Sequence, residues 1–298
     1  MNLEEGVAAV VYRTGLEPLL RRTTNRGKVG IVVYHDPSPE RLESHLHFLS
    51  TRYSFVTLTE LVSATRSRDW SRMPENGIVI TLDDGHRGNR DLRTVFARYG
   101  VRPTIFLATG PVRENGLFWF LLPGVEPVRL KLLTPAERRA AVSGAMAAAP
   151  PPTTRHALTP DEVKQLTEIA DFGSHTVSHP VLPLCSDAEA AEEIARSRVE
   201  VAELTGVECL HFCFPNGDYG PRELGLVEAA GYASARTTEV GWNGPGSNPF
   251  RLRIVSGADD ASVAMLATHL TGLLRVRRLF SDRRWRRRLR ARVASLSG

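Results

Sequence analysis

The chain has 298 residues, 42% apolar and 24% charged, a globular composition that excludes a disordered or fibrous protein. Its three cysteines, Cys185, Cys209 and Cys213, form an odd set without metal-pair spacing, which is poor material for a disulfide framework and fits a reducing compartment. The net charge of +5 is uneven: residues 275–298 carry ten arginines against Asp282, a net +9, which leaves −4 for residues 1–274.

The chain opens Met1-Asn2-Leu3-Glu4-Glu5, without the basic start and apolar centre of a secretory leader. No stretch approaches the ~18 apolar residues of a spanning helix, so a cytoplasmic location is expected. Residues 1–28 read as an amphipathic arm carrying Val7, Val10, Val11, Leu16, Leu19 and Leu20. A strand over 30–34 presents His35 and Asp36 at its polar end, and Pro37 stops it. Helices follow over 39–52, with Leu42, Leu46 and Leu49 on one face, and from the capping box Thr57–Glu60 to Ser67. The β-branched run 77–82 is a buried strand that ends in Asp83-Asp84-Gly85-His86. The spacing then predicts a helix over 89–99, stopped by Gly100, and a strand over 103–108, which together make a parallel βαβ unit.

Residues 111–158 break this rhythm with an aromatic patch, Phe118-Trp119-Phe120, a capped helix from Thr134 and a triple proline at 150–152. They read as an insertion near the mouth of the domain, either a substrate platform or a packing excursion. The alternation then resumes. A helix starts at Thr159, His175 and His179 follow in Ser174-His175-Thr176-Val177-Ser178-His179, and a long helix runs from Ser186 to about Leu204. The strand 211–214 enters the turn Pro215-Asn216-Gly217; a helix over 221–230 and strands over 232–238 and 250–254 come next. The remainder is helical. This pattern favours an α/β barrel or a doubly wound sheet, with an arm over 1–28, a barrel over 29–258 and a helical basic tail over 259–298.

Two adjacent acids at a strand end are either a solvated turn or a site that supplies a cation or donors. Histidines four apart can converge on one metal ion, and His175, His179 and Asp84 would make a two-imidazole, one-carboxylate set with open positions. Asp83 is then left to act as general base on a metal-bound water, whose pKa falls from ~16 toward ~7.

Thr81-Leu82-Asp83-Asp84-Gly85, Ser174 to His179, and Phe212-Cys213-Phe214-Pro215-Asn216-Gly217-Asp218-Tyr219, in that order, resemble the polysaccharide deacetylase family, carbohydrate esterase family four. The resemblance covers residues 29 to about 255. It implies a distorted (β/α)7 barrel that removes N-acetyl groups from amino sugars with one divalent metal, most commonly Zn2+, with Ni2+ or Co2+ as variants. It assigns Asp83 as base, Asp84, His175 and His179 as metal ligands, and the Asn216 N–H as oxyanion donor. Two departures stand out. Cys213 replaces the arginine of the third motif and Asn216 its tyrosine, so support for Asp83 must come from elsewhere; Arg253 is the candidate, unless Arg251 and Arg253 merely alternate across a strand edge. The late His motif is missing after Arg253, whereas residues 31–36 resemble it moved to the front, as in the permuted branch of the family, which makes His35 the expected general acid. His86 is a candidate substrate contact; His45, His47, His156, His211 and His269 read as packing or surface residues.

The basic tail carries Trp285, Leu289, Val293 and Leu296 as an apolar stripe amid arginine. It suits either peripheral contact with an anionic membrane through residues 275–298 or a solvated terminus, and no motif supports nucleic-acid binding. The expected function is a metal-dependent N-deacetylase acting on a polysaccharide, oligosaccharide or lipid-linked glycan precursor. The alternatives are a noncatalytic carbohydrate-binding barrel and an amidase on another N-acylated substrate.

Overall fold

The computed structural model describes residues 6, 8, 12, 26–114, 116–148, 154–272 and 275–296, with side chains of the last helix described from Trp285 onward. The N-terminal arm, apart from residues 6, 8, 12 and 26–28, and the triple proline lie outside this set.

The β-branched runs form the centre. Strands β1 (Lys28–Tyr34) and β3 (Asn76–Leu82) pair in parallel without a register break, from Lys28↔Asn76 to Tyr34↔Leu82. Around them lie β2 (Ser54–Phe55), β4 (Thr104–Leu107), β5 (Asp171–Ser174), β6 (His211–Cys213), β7 (Ser234–Val240), β8 (Leu252–Ile254) and β9 (Ser256–Gly257), in the order β8-β7-β6-β5-β4-β3-β1-β9, with β2 beside β3. Every named strand pair is parallel. The sheet curls until β9 pairs with β1 and the Val255 N–H donates to the Ile31 carbonyl at 2.8 Å. The result is the expected distorted (β/α)7 barrel, its strands buried on both faces as parallel sheets require.

The capping boxes at Thr57, Thr159 and Ser186 form as their sequences predict, each with the hydroxyl accepting from the third helical N–H and the glutamate reaching back. One helix differs from expectation. The segment after β3 starts as a 3-10 turn, Arg87–Leu92, and becomes α-helical only over Arg93–Tyr99, because the Asn89 amide donates to the His35 carbonyl at 2.8 Å and ties this segment to the end of β1.

The tail divides. Helix Val263–Thr271 buries Leu266, Ala267 and Leu270 against the barrel. In helix Arg275–Leu296 most of the apolar stripe, read as suited to a membrane surface or a solvated terminus, is covered by the protein: Trp285, Leu289 and Val293 pack on Val181 and Leu184, while Leu296 stays exposed. The Trp285 indole N–H donates to Asp218, and Arg292 reaches Glu137 and the Leu132 carbonyl in the insertion. Among the described residues only the charge, on the exposed Arg287, Arg288 and Arg290, still recommends an anionic surface. No described helix is long and apolar enough to cross a membrane.

Candidate active site

The parallel register brings the motifs to one end of the barrel, where ligands of such folds bind. Tyr34 pairs with Leu82, so His35 and Asp36 leave β1 beside Asp83 and Asp84 leaving β3. The Asp83 N–H donates to the Tyr34 carbonyl at 2.9 Å, and the Asp84 carbonyl accepts from Ala108 at 3.1 Å, which fixes the acidic pair between two neighbouring strands. His175 follows β5, and Asn216 follows β6 in a short 3-10 turn.

Of five non-glycine residues with positive φ among the described residues, four lie here: Asp84 at 70°, Thr176 at 67°, His179 at 53° and Asn216 at 57°. Each such conformation costs about 1–3 kcal/mol, so the surroundings must hold it. Around the histidines they do. The His179 N–H donates to the Thr176 hydroxyl at 3.1 Å. The Glu193 carboxylate accepts from the N–H groups of Val177 and Ser178, at 2.8 and 2.9 Å, and from the Ser178 hydroxyl at 2.6 Å. Four residues on along the same helix, Ser197 meets the Ser174 hydroxyl at 2.7 Å.

Asp84, His175 and His179 are all buried. Asp84 Oδ1 lies 3.5 Å from His175 Nε2 and 3.3 Å from His179 Nε2, and this oxygen has no hydrogen-bond partner among the described residues. The His175 Nδ1 lies 2.8 Å from the Cys213 carbonyl. Since that oxygen only accepts, Nδ1 carries the proton and Nε2 presents a lone pair. Burial pushes His179 down to about 3 against the pull of Asp84, so its ring is neutral near pH 7. Burial resists the charge on Asp84, yet His179, His86 and His175 around it hold the carboxyl below its usual range. These are the protonation states of metal ligands. Donors 2.0–2.1 Å from a tetrahedral ion stand about 3.3 Å from one another, close to the separations found here, so the three residues fit a divalent ion. The other Asp84 oxygen takes His86 Nε2 at 3.2 Å; His86 therefore orients the carboxylate rather than standing free for substrate.

Asp83 is paired with Arg236. One guanidinium nitrogen reaches both carboxylate oxygens and also meets the Cys213 sulfur. Burial drives the Cys213 thiol well above its usual pKa despite Arg236, so the sulfur stays protonated and the guanidinium pairs with Asp83 alone. The expectation for Arg253 is corrected here. Its side chain is 50% exposed and lies 3.9 Å from Glu239, whereas Arg236 is 1% exposed and reaches Asp83. Cys213 and Arg236 are register partners on β6 and β7, so the arginine missing from the third motif enters one strand over. The sequence reading missed it, although an arginine inside Ser234-Ala235-Arg236-Thr237, a strand otherwise fit for burial, was a readable signal.

Asp259 was missed as well. It accepts from the His35 N–H at 2.7 Å and meets His35 Nδ1 at 2.8 Å, which leaves the His35 Nε2 as the free ring nitrogen. Burial opposes a charge on His35, but the Asp259 hydrogen bond, with Asp83 and Asp84 nearby, pushes it up to about 9.

Residues 71–235, more than half of the chain, match the family profile described as polysaccharide deacetylase. The chain belongs to the polysaccharide deacetylase family. Solved structures share its fold. The Streptococcus pyogenes deacetylase PplD in complex with acetate is 16% identical, covers 82% of this chain and 99% of its own, and gives a TM-score of 0.62. IcaB from Ammonifex degensii is 18% identical over 82% of this chain and 97% of its own, also at 0.62. The de-N-acetylase from Aggregatibacter actinomycetemcomitans is 12% identical over 81% and 99%, at 0.60. No curated protein matches in sequence.

Within this family barrel the insertion supplies one wall of the site. Phe118 packs on His86 and Phe120 on His179, with ring centroids 4.8 and 4.9 Å apart, and the Trp119 indole donates to the His179 carbonyl at 3.2 Å. Among the other histidines, His45 and His211 are buried in structural contacts with Tyr34 and with Thr59 and Ser234, and His269 meets Ser256.

Proposed function

We propose that this polysaccharide deacetylase family member is a metal-dependent hydrolase that removes N-acetyl groups from an amino sugar of a glycan. The observation that carries the reading is the unpartnered Asp84 Oδ1 facing two imidazole nitrogens, directly beside a carboxylate held by a buried arginine. Asp84, His175 and His179 would hold the ion, with zinc the best match to a two-nitrogen, one-oxygen set; once bound it supplies Lewis acidity and acidifies water.

The chain's own residues do the rest. Asp83, oriented by Arg236, accepts a proton from the attacking water. The Asn216 N–H donates to the carbonyl oxygen as negative charge develops there. His35, with Nδ1 held by Asp259, delivers a proton from Nε2 to the departing amine, and its elevated pKa keeps that proton in place at neutral pH. The aromatic wall of Phe118, Trp119 and Phe120 excludes water from the side of the ligand histidines. The three cysteines are buried and free, which supports action in a reducing compartment such as the cytoplasm. Acetate release from acetylated chitooligosaccharides by the zinc-supplemented protein tests the reading; equal release by Asp83→Asn would refute the assigned base.

A further inference from the structure

The C-terminal helix bridges a hollow that the chemistry above does not use. Its apolar contact with the barrel, Trp285, Leu289 and Val293 on Val181 and Leu184, is a small cluster separate from the main core. Against this helix lies a cavity of about 760 Å³ that is also lined by Gly217 and Asp218, the residues directly after Asn216. Its volume is that of a small-molecule site. A second cavity, of about 440 Å³, lies between the helix, Leu184 and the start of helix Pro135–Ala148. The two share Pro183, Arg222 and Val293, so they join into one trough. Its helix wall runs from Arg286 to Leu296, a length of about 15 Å.

The two ends of the trough offer different chemistry. In the larger cavity, beside the Asn216 turn, the wall is polar and fixed: the Tyr219 hydroxyl and the Arg251 guanidinium both bond Glu239, and Arg251 Nε donates to the Tyr219 oxygen at 3.0 Å. Toward Leu296 the polar side chains are already engaged. Thr134 and Ser186 cap their helices together with Glu137 and Glu189. Arg222 donates to the Leu182 and Cys185 carbonyls, to Asp187 and to Glu223. The rest of that end is apolar, with Pro135, Ala136, Leu184, Val293 and the half-exposed Leu296. A sugar residue placed there would leave hydroxyls unpaired at a cost in free energy, whereas a hydrocarbon has no such groups to satisfy. The lining therefore matches an amphiphile whose polar head lies at the Asn216 turn and whose apolar tail runs beneath the helix.

We infer that this trough binds a hydrocarbon chain, so that the amino sugar brought to the candidate metal site is one linked to a lipid. This rests on the deacetylase reading for the acetyl group and adds the class of carrier. Burial of the chain on Leu184, Val293 and Leu296 supplies affinity remote from the reacting amide, and the rigid wall of Tyr219, Glu239 and Arg251 fixes where the head stops.

The test uses the full-length, zinc-supplemented protein with the methyl, butyl, octyl and dodecyl β-glycosides of N-acetylglucosamine, each below its critical micelle concentration, and with triacetylchitotriose. Binding is read by calorimetry and turnover by acetate release. Each methylene removed from water contributes up to about fourfold in affinity, so the octyl glycoside should bind at least about tenfold more tightly than the butyl one, and more tightly than the chitotriose. Ala294→Trp, which fills the larger cavity from an exposed helix position, should bring the octyl-to-butyl ratio near unity. Ala136→Trp, in the smaller cavity, should keep that ratio and abolish the further gain from octyl to dodecyl. Affinity independent of chain length, or a gain for chitotriose as large as for the octyl chain, overturns the hydrocarbon assignment while leaving the deacetylase reading intact. Chain-length gains unchanged in both variants also overturn it. Chain-length gains without acetate release keep the trough and refute the deacetylase reading; no binding of any of these ligands counts against both. Should Ala294→Trp fail to fold, the wild-type series and Ala136→Trp decide.

Discussion

Replacing Arg236 by Met is the sharpest test of how Asp83 is held. Both side chains are buried, and the guanidinium contacts both carboxylate oxygens. Breaking a buried ion pair by removing one partner costs about 3–5 kcal/mol. An independent bound agrees: a buried carboxyl of ordinary acidity can escape by taking up a proton, which costs about 4 kcal/mol at pH 7. A chain of this length unfolds with an entropy near 0.6 kcal/mol per degree, so the melting temperature should drop by about 5–8 °C. Because the variant relieves itself by protonation, its deficit should shrink as the pH falls toward the carboxylate range and widen as it rises. Protonation also removes the base, so acetate release should fall by about 100-fold or more. The double variant Cys213→Arg, Arg236→Cys returns the arginine to its register partner and should recover much of both losses. Thermal melts at several pH values and initial rates for the two variants provide the measurement. A melting temperature within 1 °C of wild type and a rate within threefold, in Arg236→Met, would refute the pairing argument.

Three further outcomes follow from the same geometry. His35 has a folded pKa of about 9 against a usual 6.5, so the His35–Asp259 pair contributes stability that is present below about pH 6.5 and lost as pH rises through about 9. The ring is 48% exposed, so solvent screening keeps that contribution small, and the clearer readout is the His35 titration by NMR in metal-free protein. Asp259→Asn should move the midpoint down, and an unmoved midpoint would contradict the assigned hydrogen bond. Glu193→Ala strips acceptors from two N–H groups and a hydroxyl in the strained 175–179 loop and should weaken zinc affinity 10- to 100-fold in a chelator competition, with Glu193→Gln intermediate; unchanged affinity would show that the loop holds its shape alone. Zinc at 100 times its dissociation constant should add about 2.7 kcal/mol of stability, or roughly 4 °C, and His179→Ala should abolish the shift; an equal shift in the variant would place the metal elsewhere.

The candidate ligands are legible because their chemistry is local. Asp83-Asp84 lie at the end of one β-branched run, and His175 and His179 lie within one turn, so residue type and spacing identify them without knowledge of the fold. The groups that tune them are remote in sequence and adjacent only through the barrel. Asp259 reaches His35 across 224 positions because β9 closes on β1, and Arg236 reaches Asp83 because β7 lies beside β6. Arg253 lies on a strand, as its setting in Leu252-Arg253-Ile254 predicts, but the burial pattern of β8 alternates and turns that side chain outward. A strand's period of two would have separated these cases had the register been known.

The tail shows the complementary limit. The spacing of Trp285, Leu289 and Val293 correctly marks one helix face as covered, but an amphipathic stripe carries no record of what covers it. Here the cover is the segment after His175 and His179, Val181 and Leu184, while Trp285 and Arg292 tie the helix to Asp218 at the end of the Pro215–Gly217 turn and to Glu137 in the insertion. One helix therefore touches the segment that follows the His175–His179 loop, the end of the Pro215–Gly217 turn and the insertion. Leu289→Asp would put a charge into that contact, and removing a buried leucine there costs about 2–5 kcal/mol before the charge is counted. If the helix serves only as a basic appendage, the substitution should leave zinc affinity and acetate release unchanged; if it braces the site, both should fall together, and a loss of vesicle binding alone would restore the membrane assignment.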